Sequence, residues 1–181
     1  MKVTFNAPFT LIFTIAAVCV FILFHKNGAP LPFVLPGEFL IKDAVWYPSL
    51  FGYTLGHASL EHLLGNFSII LMLGPILEEA YGTKKLLLMS LITALVTAIF
   101  HMMFWDHALM GASGIVFMFI VLSSLINIKG REIPLTFILI VVLFLGREVY
   151  NSFSSDSISQ FAHVTGGFIG ILFGYFHKKL G

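Results

Sequence analysis

Apolar runs long enough to span a membrane alternate with short polar breaks along most of the chain. A helix needs about 20 mostly apolar residues to cross the hydrocarbon core of a bilayer. Six segments fit: 8–25, 61–80, 85–104, 111–128, 132–150 and 161–178. They predict an all-α membrane protein, a bundle of six transmembrane helices forming a single domain over residues 1–181. The stretch between the first two spans, 26–60, is different in kind. It holds Pro30, Pro32, Pro36 and Pro48 but also Leu31, Phe33, Val34, Leu35, Phe39, Leu40 and Ile41. A freely solvated loop would not be so apolar. This long first loop is therefore expected to be interfacial or partly membrane-embedded, with Trp46 and Tyr47 at the headgroup boundary. No small-x-small cleavage pattern follows the first apolar run (His25-Lys26-Asn27-Gly28-Ala29-Pro30), so it reads as a span and not as a removed signal peptide.

Composition agrees. The chain is 58% hydrophobic and 10% charged, with mean hydropathy +0.97, whereas soluble domains carry about 25% charged residues. A net charge of +1 leaves no basic stripe to neutralise phosphates and argues against nucleic acid as a partner, so none is expected. The single Cys19 forms no intrachain disulfide, rules out a cysteine metal cluster and reads as lipid-facing filler. Lys and Arg accumulate in short cytoplasmic loops. With both termini in the cytoplasm, the inner set is Lys2, Lys84, Lys85, Lys129, Arg131, Lys178 and Lys179, and the outer set is Lys26, Lys42 and Arg147.

That topology brings a few polar residues to one depth. Spans two, four and six all begin at the outer face, and their first turns carry His62 and Asn66, Ser113, and His163. Helix N-termini add free N–H groups and the positive end of the dipole, which favour a developing oxyanion. His62 and Asn66, four residues apart, share a helix face, and both side chains can donate to the oxygen of a tetrahedral intermediate. Ser113 is flanked by Gly111, Ala112 and Gly114, which leave room for a helix or a substrate chain at its hydroxyl. His163 precedes Gly166, Gly170 and Gly174, a spacing that lets two helices touch backbone to backbone. The Ser113 span is the natural partner. A hydroxyl within reach of an imidazole makes a nucleophile and its general base. No carboxylate is obviously placed to orient His163, so a Ser–His dyad is expected.

Each feature also has a plainer explanation. Small residues, Ser and His are ordinary packing and hydrogen-bonding devices between membrane helices, and an isolated Gly-x-Ser-Gly is weak. His101, Asp106 and His107 read as solvated loop residues beside the site. His25, His177, Arg147 and Glu148 read as interfacial, and the stripes on spans one and three as plain lipid-facing or core surface.

Taken together, the chain resembles the rhomboid intramembrane serine proteases over about residues 45–178. The matches are His62-x-x-x-Asn66, Gly111-x-Ser113-Gly114 and Ala162-His163-x-x-Gly166-x-x-x-Gly170, in order and on the expected spans, with His57, Glu78 and Gly82 also fitting. The resemblance implies that Ser113 attacks the scissile carbonyl, with His163 as base and then acid. His62, Asn66 and the backbone N–H of Ser113 would hold the oxyanion. The substrates would be single-span membrane proteins cut near the outer face, with the lipid bilayer as solvent. No metal or organic cofactor is expected. Span five and loop 151–160 would form a gate or lid, and the setting would be a bacterial cytoplasmic membrane. Two positions depart from the pattern: Tyr47 follows Trp46 where many members have Trp-Arg, and Phe117 stands where many have Tyr. The alternatives are an inactive rhomboid-like scaffold that binds membrane helices and, from the bundle alone, a small transporter or channel, for which no internal repeat is seen.

Overall fold

The computed structural model describes residues 2–126, 135–140, 142–143 and 158–180. Among these the regular structure is helical: α1 (Pro8–Phe24), α2 (Trp46–Gly52), α3 (Leu60–Tyr81), α4 (Thr83–Phe104), α5 (Ser113–Leu125), α6 (Leu135–Ile140) and α7 (Ile158–Leu180). One isolated antiparallel bridge, Leu35 to Leu109, is the extended pairing found among the described residues. Among the described residues two helices, α3 and α4, are long and apolar enough to cross a membrane; α1 has 17 residues and the described α5 has 13. Of the expected span at 132–150, α6 is described. Arg147, Glu148 and loop 151–160 lie outside the described residues apart from 158–160, which begin α7.

Local signals account for the helix ends. Pro8 opens α1, where its missing N–H costs nothing. Ser59, in extended backbone, caps α3 by accepting from the His62 N–H at 3.1 Å. Gly82 alone separates α3 from α4. Its φ of +79° turns the chain back on itself, a conformation that side chains resist.

Helix α5 is the centre of the bundle. Every residue from Gly114 to Leu122 is buried, as expected for a helix that is apolar on all sides. It packs against α3, α4 and α7. Glycines set the closest of these contacts: a side chain at Gly166 would overlap the Gly114 carbonyl, one at Gly170 would lie 3.0 Å from the Met118 carbonyl, and one at Gly174 would meet Leu125. The outward faces carry large apolar side chains, among them Ile22 and Leu23 on α1, Leu64 and Met72 on α3, and Leu88 and Phe104 on α4. Apolar surface on this scale suits lipid and not water.

Glu78 ties three helices together. One carboxylate oxygen accepts from the Phe9 N–H at 2.9 Å and the Thr83 hydroxyl at 2.7 Å. The other accepts from the Thr10 N–H at 3.1 Å and the Thr10 hydroxyl at 2.9 Å. The start of α1, the end of α3 and the start of α4 thus meet at one residue, with Thr10 packed against Gly74.

The first loop is folded over the other end of the bundle. Leu35 exchanges two 2.9 Å backbone hydrogen bonds with Leu109, and Gly37 lies directly against the backbone of Asp106 and His107. Trp46 corrects an expectation. It does not face outwards but is 4% exposed, in a core cluster with Leu35, Tyr53, Ala94, Ala98 and Leu109, because α2 turns it towards α4. Its neighbour Tyr47 is exposed. His101 is a second correction. It is 1% exposed in the last turn of α4 and bonded through Nε2 to the His107 carbonyl at 2.8 Å, whereas Asp106 is exposed. Helix α4 is also less plain than its hydropathy implies, since Ser90, Thr93, Thr97 and His101 form a buried polar stripe.

Candidate active site

Ser113 occupies the first position of α5, just after Ala112. Its backbone N–H belongs to the first turn, where no intrahelical acceptor is available. The chain reaches this point through Gly111, whose φ is +124°. The Gly111 N–H donates to the Tyr53 carbonyl at 2.9 Å. A β-carbon on Gly111 would lie 2.6 Å from Cε1 and 2.8 Å from Nε2 of His62, and 3.7 Å from the amide nitrogen of Asn66. Glycine is thus required twice, by its backbone angle and by the imidazole pressed against it. The absence of a side chain there brings the residues before Ser113 against the face of α3 that carries His62 and Asn66.

His163 approaches from α7. The glycine contacts seat α7 on α5 so closely that the Ala162 carbonyl is 3.3 Å from a β-carbon built on Gly114. The His163 ring stacks on Phe117, with centroids 4.2 Å apart and planes 8° from parallel. Phe117 lies four residues after Ser113, one turn along the same face of α5. His163 is therefore held on the face that carries the Ser113 side chain, and the phenyl ring at position 117 is sufficient for the stack.

All four residues singled out in the sequence, His62, Asn66, Ser113 and His163, come together at one end of the bundle. His62, Ser113 and His163 are half-buried and Asn66 is buried. Two further residues at this end were not given a role by sequence. Tyr53 receives the Gly111 N–H and donates its own hydroxyl to the Ala94 carbonyl at 3.1 Å, so it links the loop before Ser113 to α4. Burial raises its phenol pKa. His57, in the turn before α3, accepts from the Asn66 amide at 3.0 Å. Burial lowers its imidazole to about 4, so it is neutral near pH 7. Among the described residues no group of three or more His, Cys, Asp or Glu is arranged to hold a metal ion.

Comparison with known proteins agrees with this architecture. The Rhomboid domain matches residues 43–179. The chain belongs to the rhomboid family. Such proteins are integral membrane proteins, in keeping with the apolar outer faces of α1, α3 and α4. The chain is 29% identical to Rhomboid-related protein 1 of Caenorhabditis elegans over 83% of its own length and 44% of that protein. It is 23% identical to Rhomboid protease GlpG of Haemophilus influenzae over 71% of its length and 68% of that protein. It is 28% identical to Rhomboid protease GlpG of an Enterobacter species over 91% of its length and 61% of that protein. The chain thus spans from under half to about two thirds of the length of these relatives.

Proposed function

We propose that the protein is an intramembrane serine endopeptidase that hydrolyses a peptide bond in or near the transmembrane segment of single-span membrane proteins, using a Ser113–His163 dyad. The observation that carries this reading is the stacking of His163 on Phe117, one turn from Ser113, with Gly111 lying against His62 and Asn66. A nucleophile, a base and two side-chain donors then border one space. The Ser113 Oγ attacks the scissile carbonyl carbon as its proton passes to His163. The carbonyl oxygen becomes an oxyanion, held by His62, Asn66 and the Ser113 N–H. His163 returns the proton to the leaving amine, the C–N bond breaks, and the acyl-Ser113 ester remains. Water, deprotonated by His163, then hydrolyses that ester.

Six membrane spans, both termini in the cytoplasm and a site near the outer face of a bacterial cytoplasmic membrane complete the proposal. The Lys and Arg distribution supports that orientation. The likeness to relatives named rhomboid proteases, together with retention of both Ser113 and His163, favours an enzyme over a scaffold. The first test is labelling of purified protein by a fluorophosphonate probe. Wild type should label, while Ser113→Ala and His163→Ala should not. Equal labelling of all three, or none in folded wild type, would defeat the proposal.

A further inference from the structure

We infer that His57 is a positioning residue for the oxyanion site: it locks the Asn66 side chain in the one orientation that turns an amide N–H towards Gly111 and Ser113. The inference rests on the protease reading above and adds a residue to its machinery.

The two bonds of His57 fix its own proton first. Its Nδ1 lies 3.2 Å from the Leu55 carbonyl oxygen, which can only accept, so Nδ1 carries the hydrogen. In a neutral imidazole the other nitrogen is then a bare acceptor. That nitrogen, Nε2, is 3.0 Å from the Asn66 side chain. An amide oxygen at this place would set lone pair against lone pair. The Asn66 amide must therefore present nitrogen to His57, and it cannot flip without losing the bond. The same nitrogen is the atom beside Gly111, 3.7 Å from the position of a β-carbon there. One of its two hydrogens is committed to His57, and the second remains for the space in front of Ser113.

The ring that enforces this is itself immobilised. His57 is 5% exposed. It packs edge-on to His62, with centroids 4.9 Å apart, and to Phe67 at 5.6 Å. Phe67 belongs to the main core cluster, so the orientation of Asn66 is anchored in the interior of the bundle. An amide free to turn would offer its oxygen as readily as its nitrogen, and an oxygen would repel the developing oxyanion. Preorganisation of donors is what gives such a site its effect.

The test is a double-mutant cycle in detergent-solubilised full chain, with cleavage of a transmembrane reporter as readout. His57→Phe keeps the ring and its edge contacts but removes the acceptor. It should lower kcat about tenfold with KM unchanged, and His57→Gln, whose oxygen reaches the same place, should restore most of the loss. In an Asn66→Ala background His57→Phe should cost nothing further. The same loss in both backgrounds would mean that His57 merely supports the fold and would overturn the inference. Histidine ¹⁵N resonances give a readout independent of activity. Nδ1 should titrate as a protonated nitrogen and Nε2 as a bare one, with Nε2 shifting in Asn66→Ala; the opposite tautomer would refute the assignment. If reporter cleavage proved independent of Ser113, the protease reading would fail, and the Nε2 resonance would still decide whether His57 holds Asn66.

Discussion

Two polar clusters occupy opposite ends of α3, and they are built on opposite plans. At Glu78 every approach to the carboxylate is filled by a donor from the protein itself, four in all from Phe9, Thr10 and Thr83. At His62 and Asn66 the neighbouring position is a glycine, and the chain gives up a side chain to bring the backbone before Ser113 against them. A buried charge is tolerable only when paired or hydrogen-bonded, and Glu78 meets that condition with nothing to spare for a ligand. At the other end the His62 ring meets glycine backbone, and on the proposed function its donors are kept for a ligand. Polarity in a membrane protein therefore does not mark function by itself; the partners around each polar group have to be read with it.

Substitutions at the two ends should separate these plans. Ser113→Ala should have the largest effect on turnover, up to about 10⁶-fold on analogy with other serine nucleophiles, with no change in thermal unfolding. An unfolding shift of several degrees would mean that the site end also carries stability. Gly111→Ala comes next. Its β-carbon would have to displace the His62 ring and would impose a strained φ, so turnover should fall roughly 10²–10³-fold, the worth of one lost oxyanion donor. A fully active variant would remove His62 from the proposed role.

Glu78→Gln should reverse the pattern. One oxygen would become an amide nitrogen facing a backbone N–H, with only a threonine hydroxyl able to turn and accept from it, which costs about 1–3 kcal/mol at a buried site. The unfolding midpoint in detergent should drop while turnover per folded molecule stays near wild type. A large loss of turnover at low temperature would instead join Glu78 to the active site.

The site end has its own stability term in His57. Its folded pKa of about 4 lies below the ordinary 6.5, so the unfolded chain binds more protons between those values and stability rises with pH there. The contribution is complete above pH 6.5, declines as pH falls to about 4 and is level below that, for at most about 3.5 kcal/mol. Unfolding of wild type and His57→Gln, compared from pH 4 to 7, should show a steeper slope in wild type than in the variant. The smallest effect on turnover per folded molecule is expected from Phe117→Ala, although removing a core ring also lowers stability. Loss of the stack on His163 should cost about 0.5–1.5 kcal/mol, or up to about tenfold in turnover. Phe117→Tyr should stay within about threefold of wild type, since the ring and not a hydroxyl makes the contact.

The amino-acid pattern alone determined a great deal. Apolar runs marked the helices that became α1, α3, α4, α5 and α7, because lipid obliges a crossing chain to satisfy its backbone within each segment. The glycine stripe named the α5–α7 contact, since only residues without side chains allow it. Ser113, His163, His62 and Asn66 stood out because polar groups are costly in hydrocarbon. Tertiary structure decided what periodicity cannot reach. Thr10 and Glu78 bond across 68 positions, and nothing local to either residue names the other. Trp46 and His101 are buried because the first loop and the turn at 105–109 fold over them, although an aromatic residue beside prolines and a histidine near a loop both read as surface. The bond from Asn66 to His57 joins residues nine positions apart, around the start of α3. Hydropathy records which side chains lipid will accept, while the angle of that turn decides which nitrogen meets which amide.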